Sequence, residues 1–134
     1  MATTGATLGS FGDSPIPLEV AQTANYQVLV TDNGTLFTNT GAGAAVVFTL
    51  PALAAGLVFE FLVTAAQSVT IASTAGTDMV FQGNAGRSSL AFSTASEKIG
   101  GRLRVQANAA GTKWLCSNLS AGANAASGNR VTAA

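Results

Sequence analysis

Residues 46–71 decide the fold: Val46-Val47-Phe48-Thr49-Leu50-Pro51, then Ala52 to Gly56, then Leu57-Val58-Phe59-Glu60-Phe61-Leu62-Val63, and finally Ser68-Val69-Thr70-Ile71. Three short apolar runs are separated by two breaks. The first run stops at Pro51, the second starts after Gly56, and the third follows the polar pair Gln67-Ser68. Each run is too short for a helix and rich in Val and Phe, which suits a strand. Alternation within Leu57–Val63 is partial, since Val58 and Leu62 face opposite Phe59, Phe61 and Val63. A strand apolar on both faces is covered on both, one cover being its own core and the other a neighbouring sheet or subunit.

Strand signals recur on either side. Tyr26–Thr31 alternates, Asp32-Asn33-Gly34 is a strong turn signal, and Thr35–Asn39 reads as the returning strand of a hairpin. Further strands are expected at Met79–Gln82, Ser89–Phe92, Lys98–Ala107 and Lys113–Ser117, with a turn over Gly83–Ser88. In the Lys98–Ala107 stretch Ile99, Leu103 and Val105 share one face and Lys98, Arg102, Arg104 and Gln106 the other. No segment has a 3.6-residue apolar period, so helices are minor. The expected fold is all-β, a β-sandwich or jelly roll of about eight short antiparallel strands. Phe48, Phe59, Phe61 and Trp114 are the expected centre of the core. Three regions follow: an extended N-terminal arm over 1–25, the β-domain over 26–117, and a low-complexity C-terminal arm over 118–134.

Composition narrows the function classes. The chain has 134 residues, 9% of them charged, with six basic and six acidic residues and a net charge of zero. A nucleic-acid partner is not expected, because phosphate binding needs clustered Lys and Arg. Few charges and no net charge favour self-association. The 26 Ala residues inflate the 48% hydrophobic fraction, so the Phe, Val, Leu and Ile set carries the core. No run approaches the ~18 apolar residues of a membrane span, and the N-terminus lacks the pattern of a signal peptide, giving an expectation of cytosolic synthesis.

Catalysis is not expected. The chain has no His, and Asp13, Glu19, Asp32, Glu60, Asp78 and Glu97 are scattered. No Cys/His or calcium-loop spacing occurs, so no metal or other cofactor is expected. Cys116 is the single cysteine and reads as a small buried hydrophobe. Gly41-Ala42-Gly43 is followed by a strand, so it reads as a loop rather than a phosphate cradle. Arg102 and Arg104 lie two apart on one strand face, and Glu60, inside an apolar run, needs solvent or a basic partner. Both arms offer docking residues: Phe11, Pro15, Ile16, Pro17 and Leu18 in the first and Arg130 in the second. With Arg102 and Arg104 these are the candidate interface residues.

The pieces Tyr26-x-Val28-x-Val30-Thr31-Asp32-x-Gly34-Thr35-Leu36, Phe48-Thr49-Leu50-Pro51-Ala52, Gly56-x-x-Phe59-x-Phe61, Ser68-Val69-Thr70-Ile71 and Gly111-Thr112-Lys113-Trp114 occur here in that order. Together they resemble a β-module of tailed-bacteriophage structural proteins, found in head decoration (cement) proteins, head fibres and tail fibres. The short chain, starting at Met1, is more similar to a small decoration protein than to a long fibre. The resemblance implies a virion protein on the outer capsid surface that binds across major capsid protein subunits and stabilises the mature shell. It also implies a homo-oligomer, with a homotrimer favoured over a homodimer. The competing expectation is a head-fibre or tail-fibre tip that binds a host glycan or protein.

Overall fold

The computed structural model describes residues 17–93, 98–120 and 131–134. Among the described residues, twelve short strands form two sheets: β1 (Glu19–Ala21), β2 (Tyr26–Gln27), β3 (Leu36–Thr38), β4 (Val46–Thr49), β5 (Val58–Leu62), β6 (Val69–Ala72), β7 (Met79–Phe81), β8 (Asn84–Arg87), β9 (Ser89–Phe92), β10 (Arg102–Ala107), β11 (Trp114–Asn118) and β12 (Thr132–Ala133). The seven-stranded sheet runs β1-β3-β5-β10-β11-β7-β8, and the five-stranded sheet runs β12-β9-β6-β4-β2. The helical turn at Val30–Asp32 is of 3-10 type, and the described residues contain no α-helix.

From β1 to β6 the chain alternates strictly between the sheets, and each strand pairs in parallel with the strand two before it. Tyr26, Phe48 and Ile71 therefore stand in one register, and Glu19, Leu36 and Glu60 in another. The second half is mostly antiparallel: β5/β10, β10/β11, β7/β8, β6/β9 and β9/β12, with β7/β11 parallel. The fold is all-β, as expected, but its sheets are mixed. An antiparallel jelly roll of about eight strands does not describe the winding of β1–β6.

The departure starts at Asp32-Asn33-Gly34. The Asp32 carboxylate accepts the Leu29 N–H (2.9 Å) and the Tyr26 hydroxyl (2.9 Å), which bends the chain into the 3-10 turn and ends the strand at Gln27. Gly34 turns at φ +84°, open to glycine without strain, and its N–H bonds the Val58 carbonyl. The turn thus sends the chain to the other sheet instead of back along β2. Leu29 and Val30, expected inside a strand, are about half exposed. A second difference lies at 83–88, where Gln82 and Gly83 make the turn with positive φ and Asn84–Arg87 forms β8. The expected strands over 46–50, 57–63, 68–72, 89–92 and 113–117 coincide with β4, β5, β6, β9 and β11 within a residue or two.

Both sheets line one core. Phe37, Phe59, Phe61, Leu103, Val105, Met79 and Trp114 come from the seven-stranded sheet, and Val46, Phe48, Ile71, Leu90 and Phe92 from the other, all essentially inaccessible to solvent. Phe48 meets Phe37 and Phe61 across the sheets at centroid separations of 5.3 and 5.1 Å. Aromatic pairs of this kind add about 0.5–1.5 kcal/mol each to the area they bury. Gly101 leaves room for the Phe92 ring, which a Cβ there would meet at 2.5 Å.

The first and last described segments pack on this body. Residues Glu19–Ala21, expected in the N-terminal arm, pair with β3, and Thr132–Ala133, expected in the C-terminal arm, pair with β9. The rest of both arms lies outside the described residues.

Asparagines staple the cross-sheet connections. Asn39 is fully buried. Its Oδ1 accepts the Thr64 and Ala65 N–H groups (2.8 and 3.0 Å), and its Nδ2 donates to the Ala65 carbonyl (3.2 Å). Asn33 does the same for the next connection, accepting from Val58 N–H (2.7 Å) and donating to Gly56 O (3.3 Å). A buried group left unsatisfied costs about 1–3 kcal/mol. We expect Asn39→Ala to lower unfolding free energy by about 2–3 kcal/mol, because two N–H groups and a carbonyl lose their partner. Urea unfolding measures it, and a loss below about 0.5 kcal/mol, the size of an ordinary surface change, would contradict the staple.

Candidate interaction surface

Pairing register places side chains on the outer face of the seven-stranded sheet. Across its middle stand Leu36, Glu60, Arg104 and Ser117 in one row; Leu62 and Arg102 align in the next, and Val58, Gln106, Leu115 and Val80 in a third. Leu119, whose N–H bonds the Arg102 carbonyl, extends the second row. Leu115 and Leu119 are 43% and 49% exposed, and Leu36, Val58 and Leu62 are half-buried. The second apolar face anticipated for the Leu57–Val63 strand is this one.

At its centre Glu60 is nearly buried and holds two arginines. Arg102 clamps Oε1 through Nε (2.9 Å) and through Nη2, and Arg104 Nη2 reaches Oε2 at 3.2 Å. The expected basic partner of Glu60 is thus supplied twice, from the neighbouring strand β10. One carboxylate between two guanidinium groups leaves one positive charge in excess. Arg102 and Arg104 remain 36% and 50% exposed at the side chain, so solvent screens the cluster and each pair contributes little by itself.

The candidate interface residues distribute unevenly. Arg102 and Arg104 come together on Glu60. Pro17 borders a shallow hollow beside them with Gly34, Thr35, Val58 and Glu60. Leu18 is 77% exposed at the sheet edge, where its carbonyl accepts the Leu36 N–H. Phe11, Pro15, Ile16 and Arg130 lie outside the described residues. Ile99, expected on the inner face with Leu103, sits in the turn before β10 and is 59% exposed. Sequence reasoning missed Glu19, whose carboxylate accepts the Thr38 and Thr40 hydroxyls at 2.6 and 3.3 Å and pins β1 to β3. It also missed that Leu36, Leu115 and Leu119 share the outer face. Their alternation with inward neighbours is visible in the sequence, but their shared face depends on strand order.

Cys116 is half-buried in β11 and is a free thiol. Burial, and secondarily the Asp78 carboxylate, push its pKa up to about 12. The Tyr26 hydroxyl is also raised, first by its hydrogen bond to Asp32, then by burial and the Asp32 charge. Among the described residues, no group of three or more His, Cys, Asp or Glu side chains is placed to hold a metal ion, and no helix is long and apolar enough to cross a membrane. Comparison of the chain with family models, curated proteins and solved structures gave no match.

Two outcomes are expected from these geometries. Glu60→Ala strands two partly solvated guanidinium groups on an apolar face and should cost about 1–2 kcal/mol, above a fully exposed pair and below a buried one. Arg102→Ala should cost more than Arg104→Ala, since Arg102 makes two contacts and is less exposed. Chemical denaturation of the three variants tests this order, which a larger effect of Arg104→Ala would reverse. For Cys116 the folded pKa lies above the unfolded one, so its protonated form stabilises the fold below about pH 9, and that contribution is lost as pH rises toward 12. Cys116→Ala should therefore flatten the fall of Tm across this alkaline range. An unchanged slope would place the loss elsewhere.

Proposed function

We propose that the two sheets form a β-sandwich module of a virion, a capsid decoration protein that binds across major capsid protein subunits and stabilises the mature shell. The observation that carries this reading is the outer face of the seven-stranded sheet, where apolar side chains surround an arginine-rich charge cluster. Arginine and exposed aliphatic side chains in a nearly neutral chain suit a protein contact. The motif residues of the phage-module resemblance also occupy structural positions: Gly34 and Gly56 turn with positive φ, Pro51 follows β4, and Trp114 is buried. These motif residues therefore serve the scaffold, which leaves the outer surface for the proposed partner contact.

The mechanism is mechanical. A protein that binds the mature lattice and not its precursor stabilises that lattice by mass action. The residues proposed for this contact are those of the Glu60–Arg102–Arg104 face with Pro17 at its border, and Phe11, Pro15 and Ile16 of the N-terminal segment. Self-association into a trimer would multiply such contacts.

Co-sedimentation with expanded, protein-stripped capsids of the encoding phage tests the reading. Saturable binding at a fixed ratio to the shell subunit is expected. Deleting residues 1–16 should weaken it while leaving the domain folded, the cut falling before Pro17 because Glu19 pins β1. Absence of binding by the intact protein, with a stable oligomer in solution, would overturn the decoration role and favour a fibre-tip module.

A further inference from the structure

We propose that the free protein pairs with a second copy of itself through the outer face of the seven-stranded sheet, Glu19 of each copy meeting Arg104 of the other across a two-fold axis. This goes beyond the virion reading and does not need it.

The face is dipolar. Strands β1, β3, β5 and β10 carry four charged side chains, Glu19, Glu60, Arg102 and Arg104. All four point outward, because their neighbours Val20, Phe59, Phe61, Leu103 and Val105 face the core. Their charges sum to zero but are unevenly placed. Two guanidinium groups on β10 share the one carboxylate of β5, while β1 holds a carboxylate at the sheet edge. At about 4.8 Å per strand, Glu19 and Arg104 of one chain stand about 14 Å apart along the sheet. Both keep capacity to pair. Glu19 is exposed, and its Oε2 takes the Thr38 and Thr40 hydroxyls, which leaves Oε1 for another donor. Arg104 reaches Glu60 through Nη2 alone and is half exposed, so most of its five N–H donors are available.

A two-fold axis brings these groups together. Glu19, Leu36, Glu60 and Arg104 form a single row across the four strands. An axis running along the strands between β3 and β5 keeps that row level and reverses its order. Strand β1 of each copy then lies over β10 of the other, and Glu19 meets the partner's Arg104 twice, as a self-complementary contact requires. Leu36 enters between the partner's Val58 and the partner's Leu62, in the interdigitation usual for facing sheets. The crossing of aligned sheets by about 30° shifts residues this near the axis by a few ångströms, which an arginine side chain spans.

Charge selects this placement over others. An axis over β10 would stack the two Glu60 clusters, four guanidinium groups on two carboxylates, which is unfavourable in a partly desolvated contact. The next outward cation, Lys113, lies beyond β10 from β1, where the Thr77 and Ala85 carbonyls hold its ammonium at 3.1 and 2.7 Å, outside the overlap. A net charge of zero leaves no long-range repulsion between whole chains. The overlap is about 19 Å wide, less than a standard interface, so the dimer dissociates on dilution.

Sedimentation equilibrium of the full chain, with far-UV circular dichroism to verify the fold of each variant, tests the pairing. A monomer–dimer equilibrium is expected. Glu19→Gln and Arg104→Gln should each raise its Kd about fivefold, since the symmetry doubles each lost exposed pair. Carbodiimide treatment of Arg104→Lys should give covalent dimers with an amide bond between positions 19 and 104 of different chains, and adding Glu19→Gln should abolish them. A chain that stays monomeric up to about 1 mM, an oligomer larger than a dimer, a Kd unmoved by both glutamine variants, or covalent dimers joined at other positions would each overturn the proposal. Capsids are absent from this experiment, so its failure leaves the virion reading standing, and failed co-sedimentation leaves this one standing.

Discussion

The structure depends on Phe48 meeting Phe37 and Phe61. These three rings belong to strands from opposite sheets, and their contact joins the first half of the chain into one body. Phe37 and Phe61 also lie side by side in one sheet at 5.7 Å, through the parallel pairing of β3 and β5, and Tyr26 caps the row against Phe37 at 5.4 Å. The rings stack only when each strand enters in the register of the strand two before it. A one-residue slip would turn Phe59 and Phe61 outward and bury Val58, Glu60 and Leu62 instead. Placing Glu60 in the core without its arginines is prohibitive, so the charge cluster helps define the register that the aromatic row exploits.

That winding makes unusual demands on the connections. Parallel strands are commonly joined by long crossovers, usually helical. Here each crossover is made by the strand in the opposite sheet and the turns at its ends. Those turns run close to the core, and their backbone groups need partners. Asn33 and Asn39 provide them, each bonding both an N–H and a carbonyl on the neighbouring connection. Asn108 and Asn25 act similarly at Thr112 and Val47. Side-chain amides, buried at Asn39 and solvent-accessible at Asn25, Asn33 and Asn108, do here what a helix would do in a larger α/β protein.

The same register produces the outer surface. Because Val58, Glu60 and Leu62 must point away from the core when Phe59 and Phe61 point inward, the most hydrophobic strand shows a partly apolar back. β10 brings Arg102 and Arg104 to Glu60, and β11 adds Leu115. A face with aliphatic side chains around a partly solvated ion cluster is costly to leave bare in number of apolar atoms but cheap to cover, since its charge is already mostly compensated. This suits the contact proposed with a capsid lattice.

How much of this was legible before folding follows from the range of each interaction. The all-β class, most strand positions, the structural use of Pro51 and Gly56, the burial of Phe48, Phe59, Phe61 and Trp114, and the need of Glu60 for solvent or a basic partner all rest on side-chain alternation and local backbone preference, which neighbouring residues determine. The sequence by itself therefore determined the central strand segments and their apolar faces, but not β1, β8 and β12, which form only by pairing with distant strands. Strand order, the parallel sense of β1–β6, the meeting of Arg104 with Glu60, and the shared face of Leu36, Leu115 and Leu119 were decided only by the tertiary structure. Asp32-Asn33-Gly34 shows the reason most clearly. Its local preference is for a turn, which a hairpin and a crossover both satisfy, and the choice between them is made by partners far along the chain: the Val58 carbonyl that accepts the Gly34 N–H, and the Phe48 ring that waits between Phe37 and Phe61.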